Sequence, residues 1–391
     1  MPRFEPFRAL RYAADLGPRV APPYDVLTDA QVDELQARDA ENITRVDVPR
    51  GGPDRYAQAA STLAGWVRTG VLTRDAEPSY TIYRLRFADA AGQPRDVVGV
   101  LGALEVVDLG AGGVLPHERT TPKDSTDRLE LTRATRANLS PVWGLSLASG
   151  LTALLAEPAE PVGRVVEDSV EHVWERVTDP VRLAAIGDRL AADDVLIADG
   201  HHRYAVARTY RNEVRDATGD GAGPAELTLA FVNELVADQL SVEAIHRVYD
   251  ADPGGLREAL GRAFTLTPTE PPGRQTLEAM AEQGYLVLVT PDGAERLEPR
   301  PGVLDGVRAL DGAWLEAALE GTGITPTYQH GLAATLEAVR SGRARAAVLI
   351  RPVGVAEIER TAREGLLMPP KSTFFTPKLK TGAVLRPLGS P

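Results

Sequence analysis

The sequence contains no cysteine in its 391 residues. This absence excludes a thiolate nucleophile, a disulfide, a zinc site built on cysteine and a thiol redox relay. No run approaches the roughly 18 apolar residues of a membrane-spanning helix. The first ten residues carry Arg3, Glu5 and Arg8 and lack the apolar stretch of a signal peptide. We therefore expect a protein with no membrane partner and a cytoplasmic location.

Positive charge is scarce, since 43 Lys and Arg residues face 55 Asp and Glu residues, which gives a formal net charge of −12 and a pI near 5.1. A surface that binds duplex nucleic acid needs a basic face, so we expect no such partner. Lysine is the scarcer of the two basic residue types, with four residues at Lys123, Lys371, Lys378 and Lys380. Each of these lysines either marks a position that needs a compact ammonium group or belongs to a solvated basic segment.

The length and the ordinary composition, with 43% apolar and 25% charged residues, predict a globular protein of two or three domains at about 150 residues per domain. Turn-forming residues at 251–255 and 268–274 indicate a boundary after the middle third. We predict an N-terminal α/β region over 1–150, a region over 151–250 and a C-terminal α/β lobe over 251–391.

Helical and strand patterns alternate along the chain and predict a mixed α/β (α+β) fold with mixed sheets flanked by helices. Thr28 and Gln31 form a capping box, and Asp179-Pro180 opens a helix. Further predicted elements are an antiparallel hairpin from 80–87 and 97–107, strands near 227–235, 242–249 and 345–350, and helices over 308–320, 331–341 and 355–363. His172 alternates with Trp174 on a predicted strand, which favours a packed histidine.

The strongest local signal is Ala198-Asp-Gly-His-His-Arg-Tyr204. A short buried strand ends at Asp199, Gly200 permits a tight turn, and a helix begins at His201. The first amides of a helix point outward and can hold a phosphate. We predict phosphate binding by the five residues of this turn, which are Asp199, Gly200, His201, His202 and Arg203. The alternative is that Asp199 caps the helix and the histidines are solvated or packed.

A second polar segment is Pro116-His-Glu-Arg-Thr-Thr-Pro-Lys-Asp124. Lys123 is placed to neutralise phosphoryl oxygens, and His117 and Glu118 are candidates for acid, base or metal ligand. A polar loop before a capped helix is the other interpretation.

Two further candidates lie near the ends of the chain. Asp25 follows Pro22-Pro23-Tyr24, and the prolines reduce the entropy lost in fixing its carboxylate, which suits a general base or metal ligand. The second is a segment near the C-terminus that mixes ammonium and hydroxyl groups, namely Lys371, Ser372, Thr373 and Lys378. This segment either closes over an anionic ligand or forms an edge strand with a solvated rim.

Several separated motifs resemble one bacterial family, domain of unknown function 1015. They are Pro6-Phe-Arg-Ala-Leu10, Val20-Ala-Pro-Pro-Tyr-Asp-Val26, Pro116-His-Glu-Arg-Thr120, Ala134-Thr-Arg-Ala-Asn-Leu-Ser-Pro141, the turn at 198–204 and Lys371-Ser-Thr-Phe-Phe-Thr-Pro-Lys378. That family is largely uncharacterised. Its turn resembles the phosphate-binding turn of ParB-type nucleotide-binding domains, sulfiredoxin and the free-serine kinases. This second resemblance implies a ParB/sulfiredoxin-like strand–turn–helix unit that binds nucleotide phosphates. The residues that carry it are only those from Asp199 to Arg203. Sulfiredoxin chemistry needs a cysteine that this chain lacks.

Together these observations predict a phosphotransferase that uses ATP or ADP with Mg²⁺ and acts on a small hydroxylated metabolite, free L-serine first. Lys123 would stabilise the transferred group, Asp25 or Glu118 would orient the acceptor hydroxyl, and Asp199 would hold the turn or help to bind metal. Two alternatives stay open, a phosphatase for a small phosphoester and a non-catalytic nucleotide-sensing module. The sequence leaves the metal ligands and the oligomeric state undefined.

Overall fold

The computed structural model describes residues 1–89, 92–116, 125–219, 221–369 and 371–389. The chain divides into two compact units. The first unit comprises Met1–Ser241, Ala362–Gly365 and Phe375–Pro391, and the second comprises Val242–Thr361 and Leu366–Phe374.

The first unit contains helices and strands in alternation. Its described helices are α1 (Asp29–Arg38), α2 (Thr44–Asp47), α3 (Arg55–Arg68), α4 (Ser125–Thr135), α5 (Leu151–Ala156), α6 (Pro180–Leu190) and α7 (His201–Thr218), with short 3-10 turns at Tyr24–Val26 and Pro224–Glu226. Its described strands are β1 (Phe4–Glu5), β2 (Leu10–Tyr12), β3 (Leu72–Arg74), β4 (Tyr80–Ala88), β5 (Pro94–Glu105), β6 (Val114–Leu115), β7 (Ala137–Asn138), β8 (Val142–Ser146), β9 (Glu160–Glu167), β10 (Val170–Val177), β11 (Val195–Asp199), β12 (Leu227–Glu234) and β21 (Arg386–Pro387).

The second unit has a similar alternation. Its described helices are α8 (Pro253–Gly261), α9 (Arg274–Gln283), α10 (Asp311–Leu319) and α11 (Leu332–Arg340). Its strands are β14 (Ile245–Tyr249), β15 (Phe264–Thr269), β16 (Leu286–Thr290), β17 (Gly293–Pro299), β18 (Thr327–His330) and β19 (Ala346–Leu349). Three elements have residues in both units, namely β13 (Ser241–Glu243), α12 (Val355–Arg363) and β20 (Phe374–Thr376).

A nine-stranded sheet organises the first unit. Eight of its strands follow the order β6-β11-β8-β12-β5-β4-β10-β9, and β1 also pairs with β5. The pairs β6/β11 and β8/β12 are parallel, whereas β4/β5 and β11/β8 are antiparallel. The core combines strand residues such as Val100 and Val232 with Ile186 of α6 and Tyr204 of α7. This mixed sheet with packed helices confirms the predicted fold class.

The second unit is built on an antiparallel sheet with the order β15-β17-β16-β19-β14-β18. Two apolar clusters form its core, one around Leu256, Phe264 and Leu315 and the other around Met280 and Val339. The helix expected over 308–320 is shorter, Asp311–Leu319, and the helix expected over 331–341 is Leu332–Arg340, whereas α12 has the predicted bounds.

The two predicted helix N-caps, at Thr28 and Asp179, are confirmed. The Thr28 amide donates to Gln31 Oε1 over 2.9 Å, and the Thr28 hydroxyl accepts from the Gln31 amide over 3.3 Å, which completes the capping box. The Asp179 carboxylate accepts from the Arg182 amide over 2.8 Å and caps α6. The strand expected over 242–249 is divided into β13 and β14, with Ala244 between them.

The division into three regions at 150 and 250 stays a prediction. Strands from both 1–150 and 151–250 belong to the nine-stranded sheet. The sheet therefore joins parts of the chain that the composition separates.

Candidate functional site

The predicted strand, turn and helix are all present at the candidate site. Strand β11 ends at Asp199, Gly200 adopts the left-handed conformation with φ 86° and ψ 28°, and α7 begins at His201. Only glycine adopts this conformation without strain. A Cβ at position 200 would also lie 3.0 Å from Cζ and Nε of Arg203, because that side chain folds back over the turn. The glycine is required by both the backbone and the packing.

A β-bulge sets the direction of Asp199. Ile197 pairs with Gly144, and Asp199 pairs with Trp143, so Ala198 is an extra residue on β11. An extra residue breaks the alternation of side chains and re-aims those that follow. Asp199 is thereby released from the face of the sheet on which Ile197 is buried.

Asp199 is held by two cations. Lys378 Nζ donates to Asp199 Oδ1 over 2.8 Å, and Arg203 Nη2 donates to Asp199 Oδ2 over 2.6 Å. Burial alone would raise the pKa of Asp199, but the Lys378 ammonium and the Arg203 guanidinium outweigh it and hold the pKa well below its usual range. Asp199 is therefore an anion that fixes the turn and brings two positive groups to it.

Arg203 connects the turn with a second group of charged residues. Its side chain is 9% exposed, and its Nη1 donates to the carbonyl of Pro141. Burial lowers the pKa of Arg203, but the carboxylates of Asp199, Asp25 and Asp47 raise it by more than burial lowers it. The guanidinium therefore stays charged. Among the described residues, the buried Nε of Arg203 has no hydrogen-bond partner.

The helix that follows the turn is anchored at its first turn by Tyr204. The Tyr204 hydroxyl accepts from the Val107 amide over 2.8 Å and donates to the Glu105 carbonyl over 3.0 Å. Burial raises the pKa of this phenol to about 12. Because these bonds tie α7 to the end of β5, the helix N-terminus is held in a fixed position beside Gly200.

The structure brings Asp25 toward the turn. Asp25 is exposed and lies in the 3-10 turn that follows Pro23. The neighbouring Tyr24 ring packs against Arg128, whose Cζ lies 4.2 Å from the ring centroid. Because Asp25 acts on the pKa of both Arg203 and Asp47, its carboxylate belongs to the charged group around the turn.

Asp47 and Arg128 are site residues that the sequence analysis did not predict. Arg128 Nη1 donates to the Asp47 carbonyl over 2.6 Å, and Arg128 Nη2 donates to Asp127 Oδ2 over 2.6 Å. Asp47 is buried, and burial raises its pKa against the opposing effect of Arg128 and Arg203. The signal in the sequence is a carboxylate between two valines, Val46 and Val48, which is an unusual place for an exposed acid.

A cavity of about 50 Å³ lies beside the turn. Its polar lining consists of Asp47, Arg128, Thr132, Asn138, Ser140, Arg203, Tyr210 and Thr228. Since a water molecule needs about 10–15 Å³ of such space, the cavity has room for a small polar group.

The predicted residues His117, Glu118 and Lys123 lie outside the described residues. The chain enters segment 117–124 from β6, which is parallel to β11 with Leu196 paired to Leu115. Parallel strands end at the same edge of a sheet, so β6 ends at the edge where the turn lies.

The four residues of the predicted closing segment have different surroundings. Lys378 reaches Asp199 within the first unit. Lys371, Ser372 and Thr373 belong to the second unit. There the Ser372 hydroxyl donates to the Pro369 carbonyl over 2.7 Å, and Lys371 has a positive φ of 59°. Lys378 is thus the residue of the predicted closing segment that contacts Asp199 in the turn.

Within the described ranges, no group of three or more histidine and carboxylate side chains is arranged to hold a metal ion. Both Asp199 oxygens are bonded to cationic groups, so this carboxylate is a poor metal ligand. The exposed carboxylate of Asp25 fits the role better, because magnesium sites often use one or two carboxylates together with substrate phosphates. In the same part of the chain, no helix has both the length and the hydropathy to cross a membrane.

The fold and the turn define a mixed α/β protein with a strand–glycine–helix turn in its first unit. The chain belongs to the family described as protein of unknown function (DUF1015), whose profile matches residues 4–313. No curated protein matches the chain.

Solved structures share a weak similarity with this chain. A conserved hypothetical protein from Pyrococcus furiosus has 13% identity and a TM-score of 0.40, covering 71% of this chain and 90% of its own. A free serine kinase in complex with AMP has 15% identity and a TM-score of 0.40, covering 71% and 87%. SbnI from Staphylococcus aureus, with a C-terminal truncation, has 13% identity and a TM-score of 0.41, covering 71% and 84%. These identities and TM-scores are too low to carry a function over to this chain.

Proposed function

We propose that the turn at Asp199–Arg203 binds the phosphates of a nucleotide and that the protein transfers a phosphoryl group to a small hydroxylated metabolite. One observation carries the proposal. A left-handed glycine opens an 18-residue helix, and Arg203 and Lys378 converge on the single carboxylate of Asp199 beside it.

The charge around the turn favours an anionic ligand. Arg203 and Lys378 supply two positive charges at the turn and Asp199 one negative charge, while Asp25 and the buried Asp47 add carboxylates to the group around it. The N-terminus of α7 adds about half a positive charge, and His201 and His202 lie in its first turn. Positive side chains at this end of a helix are unfavourable unless an anion lies among them. A phosphate group would accept hydrogen bonds from the outward-facing amides of the helix and pair with these cations.

The buried Nε of Arg203, which lacks a hydrogen-bond acceptor in the described part of the chain, also favours an anionic ligand. A buried polar group without a partner costs about 1–3 kcal/mol, and such groups in native proteins are often functional. Arg203 Nε is a donor of this kind among the described residues. Arg203 would shift toward a bound phosphate and gain an acceptor there.

Phosphoryl transfer mainly needs positioning and neutralisation of charge. In this proposal Asp25 accepts the proton of the acceptor hydroxyl, and Glu118 and His117 are the other candidates for that role. The acceptor oxygen bonds to the terminal phosphorus of the nucleotide while the bond from that phosphorus to the bridging oxygen breaks. The nucleotide leaves one phosphate shorter, and Lys123 stabilises charge on the transferred group.

Mg²⁺ would be held mainly by the nucleotide phosphates and would neutralise negative charge on them. The acceptor would enter the small cavity beside the turn, where hydroxyl and amide side chains match a polar metabolite. Free L-serine is the first candidate acceptor, because the turn resembles that of the free-serine kinases. ATP and ADP are both candidate donors.

The test is to incubate the protein with Mg²⁺, L-serine and either ATP or ADP, and to follow phosphorus by NMR. Phosphoserine formed together with a shortened nucleotide supports the proposal. Release of phosphate from a small phosphoester without nucleotide would indicate a phosphatase instead. Nucleotide binding without turnover across a panel of hydroxylated metabolites would indicate a sensing module.

A further inference from the structure

An apolar groove lies beside α3 and α4 in the first unit, and none of the residues assigned to the turn lines it. Its volume is about 620 Å³, within the range of about 300–1,000 Å³ that is usual for small-molecule pockets. The buried side chains of Leu10, Leu63 and Ala137 and the half-buried Val67 form its apolar lining. The groove therefore has the size and the surface of a binding site for a small apolar group.

Three exposed arginines surround this groove. Arg68 ends α3, Arg74 ends β3, and Arg136 follows the last residue of α4. In the described ranges their guanidinium groups have no ion-pair partner. The described lining contains no acidic residue, although the chain has 55 of them. The groove is thus positively charged in a protein whose net charge is −12.

The backbone of Arg136 supports a functional role for this charge. Its φ is 47°, in the left-handed region that favours glycine or asparagine just after a helix. Strained residues of this kind tend to occur at binding sites. An arginine at a helix C-terminus also offsets the helix dipole, which applies to Arg68 and Arg136. Arg74 lies on a strand, so the dipole does not explain the full set.

We propose that this groove binds an anionic amphiphile, specifically a free medium-chain fatty acid. The acyl chain would lie against Leu63 and Val67, and the carboxylate would pair with the guanidinium groups at the rim. Arginine binds carboxylates through two parallel hydrogen bonds, which gives the head group a defined position. An uncharged apolar ligand would leave all three arginines without a partner.

Calorimetry on the full chain tests this proposal with three probes that share one tail: decanoate, decanol and decylammonium. Measurements stay below the micellar range of decanoate. We expect decanoate to bind at least tenfold more tightly than decanol, and decylammonium to bind more weakly than both. Equal affinities for decanoate and decanol, or no decanoate binding, would overturn the proposal.

Variants then locate the binding site. Arg136→Gly removes one charge and relieves the positive φ, so we expect a higher melting temperature together with about tenfold weaker decanoate binding. Ala64→Trp fills the groove from an exposed helical position and should abolish binding. Arg164→Gln, on an exposed arginine of β9, is the matched control and should leave the affinity unchanged. Unchanged affinity in both Arg136→Gly and Ala64→Trp would place the ligand elsewhere and contradict the proposal.

Discussion

The guanidinium of Arg203 packs against the peptide of Gly200, so closely that a Cβ at position 200 would lie 3.0 Å from its Cζ and Nε. Asp199 and the Pro141 carbonyl hold the guanidinium in this place. The conformation of the turn and the position of the Arg203 side chain therefore depend on each other.

Gly200→Ala should disrupt the contact between the turn and Arg203. The alanine methyl group would displace Arg203 from Asp199, and its positive φ would cost about 1–2 kcal/mol of folding free energy. We expect at least tenfold weaker ADP binding, measured by calorimetry.

Gly219→Ala is the matched control. Gly219 also has a positive φ of 69° and ends the same helix, but a Cβ added there would meet nothing within 4 Å. This variant should lose similar stability in urea unfolding while keeping its ADP affinity. Equal loss of affinity in both variants would show that the effect at Gly200 is a general loss of stability.

Lys378→Gln removes an ammonium group from Asp199. A charge-assisted hydrogen bond contributes about 1.5–3 kcal/mol, so we expect about a tenfold to hundredfold loss of ADP affinity. Lys380→Gln is the control, because Lys380 is a buried lysine close to Lys378 in the sequence that pairs with Glu167 instead. If both variants bind ADP like the unmodified protein, Lys378 has no part in the anion site.

Asp25→Asn tests the proposed role of the exposed carboxylate. We expect turnover to fall by about 10²–10⁴-fold, the usual contribution of a general base, while ADP affinity stays within about threefold of the original because the turn supplies it. Asp29→Asn, on an exposed acid of α1 that pairs with Arg50, should leave turnover unchanged. Full activity of Asp25→Asn in the phosphorus NMR assay would assign the proton transfer to another residue.

His172 gives a prediction about pH. Its Nδ1 lies 2.7 Å from the Tyr83 hydroxyl, which accepts from the Lys380 amide and so donates its own hydrogen to the ring. Burial lowers the pKa of His172 from 6.5 to about 3. The unfolded chain therefore binds an extra proton below pH 6.5, and stability falls as the pH drops from there toward 3.

Urea unfolding at pH 7.5 and pH 5.5 measures this effect. We expect the unmodified protein to lose about 1 kcal/mol more between these pH values than His172→Asn, which keeps an acceptor for Tyr83 but does not titrate. The same pH dependence in both proteins would contradict a buried neutral His172.

The sequence predicts what local patterns encode. The apolar run before Asp199, the glycine and the polar helix start define the turn. No local pattern predicted the 3-10 turn that carries Asp25. Asp47 was missed because only the tertiary structure brings it and Arg203 to the same cavity, from positions far apart in the chain. The bulge at Ala198 is also set by pairing with β8, which no local pattern reveals.

The segment at 371–378 illustrates the same limit. Its mixture of ammonium and hydroxyl groups predicts one anion-closing element, but Lys371 to Thr373 belong to the second unit and Lys378 to the first. Composition describes the chemistry of such a segment, whereas tertiary structure decides which of its residues reach the turn.

A crystal structure of the protein with ADP and Mg²⁺ would show directly whether the turn binds phosphate. We expect the terminal phosphate to lie within hydrogen-bond distance of the first-turn amides of α7, with Arg203 or Lys378 also in contact with it. An ADP molecule bound with its phosphates away from Gly200, and with Asp199, Arg203 and Lys378 unchanged, would contradict this expectation.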